Sequence, residues 1–202
     1  MHQARVVLLG GTSHVGKSSL ARVVADRLGY ACLSTDGLAR HPGRPWRMPG
    51  WEVPPHVAEH YRSLTADELL SSVLDHYARL WPRVEELIRR AAAGHEGAAG
   101  LVLEGSALWP ARVAELRIPH TAAVWLTAEE TVLRARMYDS AGYAEADGEE
   151  RRLVDTFLAR AVGFQELVLG EAARLRLDRL DTGGGRSVEE LAEAVLRMTA
   201  AR

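Results

Sequence analysis

Gly11-Thr12-Ser13-His14-Val15-Gly16-Lys17-Ser18 is a full match to G-x-x-x-x-G-K-[ST]. Upstream lies Ala4-Arg5-Val6-Val7-Leu8-Leu9-Gly10. That run is short, apolar and β-branched, as a strand buried on both faces of a parallel sheet requires. Downstream, Leu20, Val23, Val24 and Leu28 recur at helical spacing. Strand, glycine loop and helix in this order aim backbone N–H groups and a helix N-terminus at a phosphate. Lys17 is the only lysine in the chain; the other 24 of its 25 basic residues are arginines. A compact ammonium enters a tight backbone loop and bridges two phosphates, whereas a planar guanidinium is too wide. The stretch implies a nucleoside triphosphate, with Gly11 through Ser18 and Ser19 around the phosphates and the Ser18 hydroxyl on Mg²⁺.

Composition bounds the rest. With 202 residues, 47 % of them hydrophobic and 26 % charged, the chain can bury a good core as one domain spanning 1–202. A net charge of −2 gives no global pull toward nucleic acid or acidic membranes, and neither is expected as a partner. Cys32 is the single cysteine, so no disulfide framework exists. No apolar stretch approaches the ~20 residues of a membrane span and no signal peptide is visible, which gives the expectation of a cytoplasmic protein. The histidines show no metal-ligand spacing, so no zinc site is expected. A monomer or a homodimer is the expected assembly.

Strand-like and helix-like segments alternate along the chain. Tyr30 to Ser34, Leu101 to Glu104, Ala122 to Leu126 and part of Leu175 to Asp181 read as further strands. Thr65-Ala66-Asp67-Glu68 reads as a capping box before a long helix to about Ala93, which Pro82 should kink or split. Thr127 to Glu130 reads as a second box, opening a helix to about Met137. Long helical periodicity covers Glu150 to Arg174, and Ser187 to Glu190 caps a last helix. The expected fold is α/β: five mostly parallel strands flanked by helices.

Ligands in such sheets bind beyond the carboxyl ends of the strands. Beyond the second strand stands Asp36, placed to orient an acceptor hydroxyl and take its proton. Beyond the third stands Glu104, read as a carboxylate on Mg²⁺ through water or as an acceptor-site group. Beyond the fourth, the helix carries Arg134 and Arg136. It leads into a polar, glycine-containing stretch, and 134–152 is read as a lid over the phosphates. The segment after Asp36, within about 36–62, is dense in arginine and tryptophan. Arg40, Arg44 and Trp46, with Ser106 and Trp109 past the third strand, are the candidate acceptor pocket. Three readings of it stand open: an anionic acceptor clamped by arginines, an aromatic or glycosylated natural product stacked on tryptophan, and a loop that merely fills gaps.

Together, Gly10 to Ser19, Ser34-Thr35-Asp36, Leu103-Glu104-Gly105, Arg134-Ala135-Arg136 and Leu180-Asp181-Thr182 resemble the small adenylate-kinase-like P-loop kinases. The likenesses are to chloramphenicol phosphotransferase, zeta-toxin-type kinases and 2-phosphoglycerate-kinase-like proteins. The resemblance implies ATP and Mg²⁺ as cofactors and γ-phosphate transfer to a hydroxyl of a small molecule. It implies that Asp36 acts at the acceptor hydroxyl, with Lys17 and Arg136 completing the catalytic set. A lid arginine, Arg134 or Arg136, would steady the triphosphate, and Thr182 and Gly183 would lie near the adenine. Two further readings remain: a toxin-type kinase acting on a sugar nucleotide, and an ATP-binding regulator without turnover. A GTPase switch of the Asn-Lys-x-Asp kind is excluded, because the chain has no asparagine.

Overall fold

The computed structural model describes residues 4–39, 42–48, 50–94 and 99–200. Its strands are β1 (Val6–Gly11), β2 (Ala31–Ser34), β3 (Leu101–Glu104), β4 (Thr121–Thr127) and β5 (Arg179–Asp181). Its α-helices are α1 (Lys17–Leu28), α2 (Pro55–Ser63), α3 (Ala66–Ala92), α4 (Pro110–Leu116), α5 (Glu130–Ala141), α6 (Gly148–Arg174) and α7 (Val188–Ala200). The strands form one sheet in the order β2-β3-β1-β4-β5, with every pairing parallel. β1 is therefore central, and the chain leaves it first to one side and later to the other. That reversal opens a crevice at the carboxyl end of β1, where the glycine loop begins.

The alternation along β1 shows how the layers are built. Val7 and Leu9 enter a core with α1, α5, α6 and α7. Val6 and Leu8 enter a second core with α3 and α4, through Leu80, Val84, Ile88 and Leu116. A strand buried on both faces must be apolar at every position, and β1 is buried throughout.

Most of the expected elements are present, with instructive differences. α3 runs through Pro82 without splitting. Pro82 removes one backbone N–H, but buried Leu80, Trp81 and Val84 hold the turns on either side. The boxes at Thr65–Glu68 and Ser187–Glu190 form as expected. The one at Thr127–Glu130 does not: Glu129 is the N-cap, with no side-chain cap. Thr127 Oγ1 instead donates to Gln165 Oε1 (3.3 Å), and the buried Gln165 amide also bonds the N–H (3.2 Å) and C=O (2.9 Å) of Ala128. A side chain from α6 thus engages Thr127 and fixes the turn just before α5. α2 and α4 are additions to the sequence reading. Both begin with proline at the first helical position, Pro55 and Pro110, a start signal present in the sequence.

Candidate active site

The glycine loop runs from the end of β1 into α1. Gly16 caps α1 in a left-handed conformation (φ 96°), and His14 also has positive φ (61°). The loop is fastened at several points. Thr12 Oγ1 donates to Ala161 O on α6 (2.7 Å), and Ser106 Oγ donates to Gly11 O (2.9 Å). Thr182 Oγ1 donates to Val15 O (2.7 Å) and accepts from Arg136 Nη1 (3.2 Å). Arg136 also donates to Thr182 O (2.8 Å) and His14 O (3.4 Å). Arg136 and Thr182 therefore brace the back of the loop. Gly183 N–H donates to Asp181 Oδ1 (3.0 Å), closing the turn after β5.

Lys17 is buried, and its ammonium donates to Thr12 O (2.7 Å). Burial holds its pKa below the ordinary lysine value, while Glu104 and Asp36 pull it up. A buried ammonium with spare donors is a seat for an anion. Ser18 Oγ donates to Glu104 Oε1 (2.9 Å), and Glu104 is itself buried at the end of β3. This hydroxyl and carboxylate, beside the ammonium, are hard oxygen donors suited to Mg²⁺ shared with a phosphate. Among the described residues, no group of three or more His, Cys, Asp and Glu side chains could hold a metal by itself.

Next to the loop opens a cavity of about 450 Å³. Ser13 and Asp36 line it, with Arg44, Met48 and Trp51 from the segment after β2, Tyr77 and Leu80 from α3, and Phe157 and Arg160 from α6. Asp36 is exposed, in a 3₁₀ turn whose backbone is held by Ser34 Oγ. The turn passes close to Gly105 (φ 150°), where a Cβ would overlap Thr35 Oγ1. Met48 and Trp51 pair as a short antiparallel bridge, and Trp51 Nε1 donates to Arg44 O (3.3 Å).

Of the residues assigned to the acceptor from sequence, Asp36 and Arg44 line this cavity. Trp46 does not. It is buried in the core against Phe157 (ring centroids 4.9 Å) and His14 (5.7 Å). Trp109 packs on Phe164 (6.0 Å), behind the sheet end, and Ser106 and Glu104 face the glycine loop rather than the cavity. Arg40 lies outside the described residues.

The segment read as a lid is mostly helical. α5 continues to Ala141, and α6 begins at Gly148 with Asp147 and Glu150 forming a capping box. Its arginines are largely engaged locally. Arg134 pairs with Glu130 and Tyr138 on the surface, away from the loop. Arg151 donates to Tyr143 O and Ala144 O, and Arg152 pairs with Glu149. Arg136 alone of the four bonds the glycine loop.

Arg160 escaped the sequence reading. It is 6 % exposed, lines the cavity, and its guanidinium lies 4.2 Å from the centroid of Phe157. Its signal was an arginine on the apolar face of a long helix, between Phe157 and Phe164. Tyr77 lies opposite on α3, its phenol pushed up to about 12 chiefly by burial, so it stays neutral.

No protein-family model matches the chain, and no curated protein matches it. Solved structures do. The fold is that of small P-loop kinases. A gluconokinase from Sinorhizobium meliloti superposes with a TM-score of 0.58 at 22 % identity, over 100 % of this chain and 94 % of that one. A sugar kinase from a Janibacter species gives 0.56 at 20 % identity, over 96 % of this chain and 94 % of that one. The shikimate kinase of Aquifex aeolicus gives 0.53 at 14 % identity, over 96 % and 95 %.

Proposed function

We propose that the protein is an ATP-dependent phosphotransferase that moves the γ-phosphoryl group to a hydroxyl of a small molecule. One observation carries this reading. The small-molecule-sized cavity that holds Asp36 adjoins the glycine loop at Ser13, and the Asp36 carboxylate acts electrostatically on the buried Lys17 ammonium of that loop. The triphosphate belongs on the loop N–H groups and Lys17. The acceptor belongs in the cavity, with its hydroxyl toward Asp36. Asp36 orients that hydroxyl and takes its proton as the new O–P bond forms and the bond to the departing ADP breaks. Ser18 and Glu104 would hold Mg²⁺, which supplies neutralisation of phosphate charge. Arg136 and Thr182 keep the loop backbone in its receptive shape. The folds shared with a gluconokinase and a shikimate kinase support transfer to an alcohol oxygen.

The test measures ATP binding and ADP release across a panel of small alcohols. Lys17→Ala should abolish transfer, and Lys17→Arg should do nearly the same, because the guanidinium does not fit the loop. Asp36→Asn should keep ATP binding and lower kcat by about 10²-fold or more, the scale of a lost general base. Full activity in Lys17→Arg, or an unchanged kcat in Asp36→Asn, overturns the assigned roles.

A further inference from the structure

Arg160 is more than nine-tenths buried, yet it forms no ion pair among the described residues, and its Nε has no hydrogen-bond partner. A guanidinium cannot shed its proton to escape this situation. The face of Phe157 offers partial compensation, through the ring quadrupole. Arg44, half-buried across the same cavity, has only the Met48 sulfur as a side-chain acceptor (3.1 Å). Two guanidinium groups thus look into a cavity where, among the described residues, Asp36 is the single lining carboxylate. His76, also on the wall, has its pKa lowered by burial and Arg79, with Asp36 opposing, and it adds no carboxylate. Among the described lining residues, positive charge exceeds negative by one.

The rest of the wall identifies the kind of molecule that brings the missing charge. Trp51, Tyr77, Phe157, Leu80 and Met48 are apolar or aromatic surfaces suited to a carbon skeleton. The phosphate loop contributes only Ser13 to it, and has its own ammonium in Lys17. An unpaired buried guanidinium beside apolar walls fits an organic anion seated bidentately.

We infer that the acceptor is a small hydroxy acid carrying one carboxylate, which Arg160 and Arg44 clamp while its hydroxyl faces Asp36. This rests on the phosphotransferase reading of the same site. A monoanion matches the net charge of the described lining.

Equilibrium calorimetry tests this without turnover. The protein is saturated with Mg²⁺ and a non-hydrolysable ATP analogue, then titrated with matched pairs. The pairs are D-gluconate and D-glucitol, D-glycerate and glycerol, and shikimate and its methyl ester; glycerol 3-phosphate forms a separate arm. At least one acid should bind about tenfold or more tighter than its neutral partner, since a site built for a charged group rejects the analogue lacking it. Arg160→Gln should erase that preference while leaving affinity for the ATP analogue within about threefold. If Arg160→Gln does not fold, Arg44→Gln on the outer segment takes its place and should reduce the same preference. Equal binding of acids and neutral partners, or none by either, overturns the inference. So does tighter binding of glycerol 3-phosphate than of every acid. So does an Arg160→Gln protein that keeps its acid preference but loses the ATP analogue, which would assign the arginine to the transferring phosphate. An acid preference that requires Arg160, with no ADP formed from any acid, sustains the carboxylate clamp but overturns the phosphotransferase reading, and with it the acceptor role of the acid.

Discussion

At the scale of single residues, tryptophans of one segment divide their work. Trp46 and Trp51 lie five positions apart in a run that reads uniformly as an aromatic, basic loop. Trp46 is 4 % exposed and wedged against Phe157 and His14, so it nails the segment to α6. Trp51 stands on the cavity wall. Trp46→Ala should cost about 3 kcal/mol or more of stability, as large aromatic truncations in a core do. Trp51→Ala should cost well under half of that. Chemical denaturation of both variants checks the contrast, and equal losses would refute the division. Lys17 belongs to the same scale. Its depressed pKa comes from burial, and that burial is what makes it receptive to an anion.

At the scale of elements, the site depends on a close crossing between the ends of β2 and β3. Ser34 pairs with Glu104 in parallel register, and the chain then turns at Thr35 and at Gly105. Thr35 is fully buried, and its side chain occupies the space a Cβ on residue 105 would need. Gly105 also holds a positive φ that side-chain-bearing residues rarely adopt. Gly105→Ala should therefore destabilise the fold by about 3 kcal/mol, combining overpacking with backbone strain. Pairing it with Thr35→Ala, which removes the overlapping oxygen, should recover part of that loss. Thermal unfolding of the single and double variants measures both effects; a neutral Gly105→Ala would show that the crossing can relax. α5 and α6 illustrate a different lesson. Their junction is short and fixed by Asp147, Glu150 and the Arg151 bonds to Tyr143 and Ala144, so its arginines serve the junction itself.

At the scale of the whole molecule, one buried titratable ring ties stability to pH. His14 has its pKa lowered from 6.5 to about 4, first by burial and then by Arg44, Lys17, Arg160 and Arg136. Its ring nitrogens have no hydrogen-bond partners. In the unfolded chain the imidazole takes a proton near pH 6.5, whereas the folded protein resists until about pH 4. The unfolded state thus binds more protons between those values, and stability falls as pH falls through that window. The stabilising contribution is complete above about pH 6.5 and is of order 3 kcal/mol at its largest. His14→Asn, which tolerates the positive φ, should lose less stability between pH 7 and pH 4 than the parent. Denaturant titrations at both pH values decide it; identical losses would remove His14 as the source.

Some of this molecule is written locally in its chain, and some exists only once distant segments meet. The phosphate loop, the buried β1, two of the three expected capping boxes and the α/β order are legible because each follows from neighbours within one turn or one strand. Backbone sterics, side-chain periodicity and short-range hydrogen bonds determine them. The position of Asp36, just past the end of β2 and on the wall of the cavity beside the loop, was legible for the same reason. What the sequence could not place was set by partners far away in the chain. Gln165 draws Thr127, 38 residues earlier, into a bond that leaves the expected cap unmade. Arg134 and Arg136 stand two positions apart, yet only Arg136 turns toward the glycine loop. Arg160 meets Tyr77, Arg44 and Asp36 only because α6 and α3 close over the same crevice. Periodicity shows which face of a helix is buried, but not what lies opposite that face. A buried cation becomes a binding site only when the packing of the whole molecule leaves it without a partner.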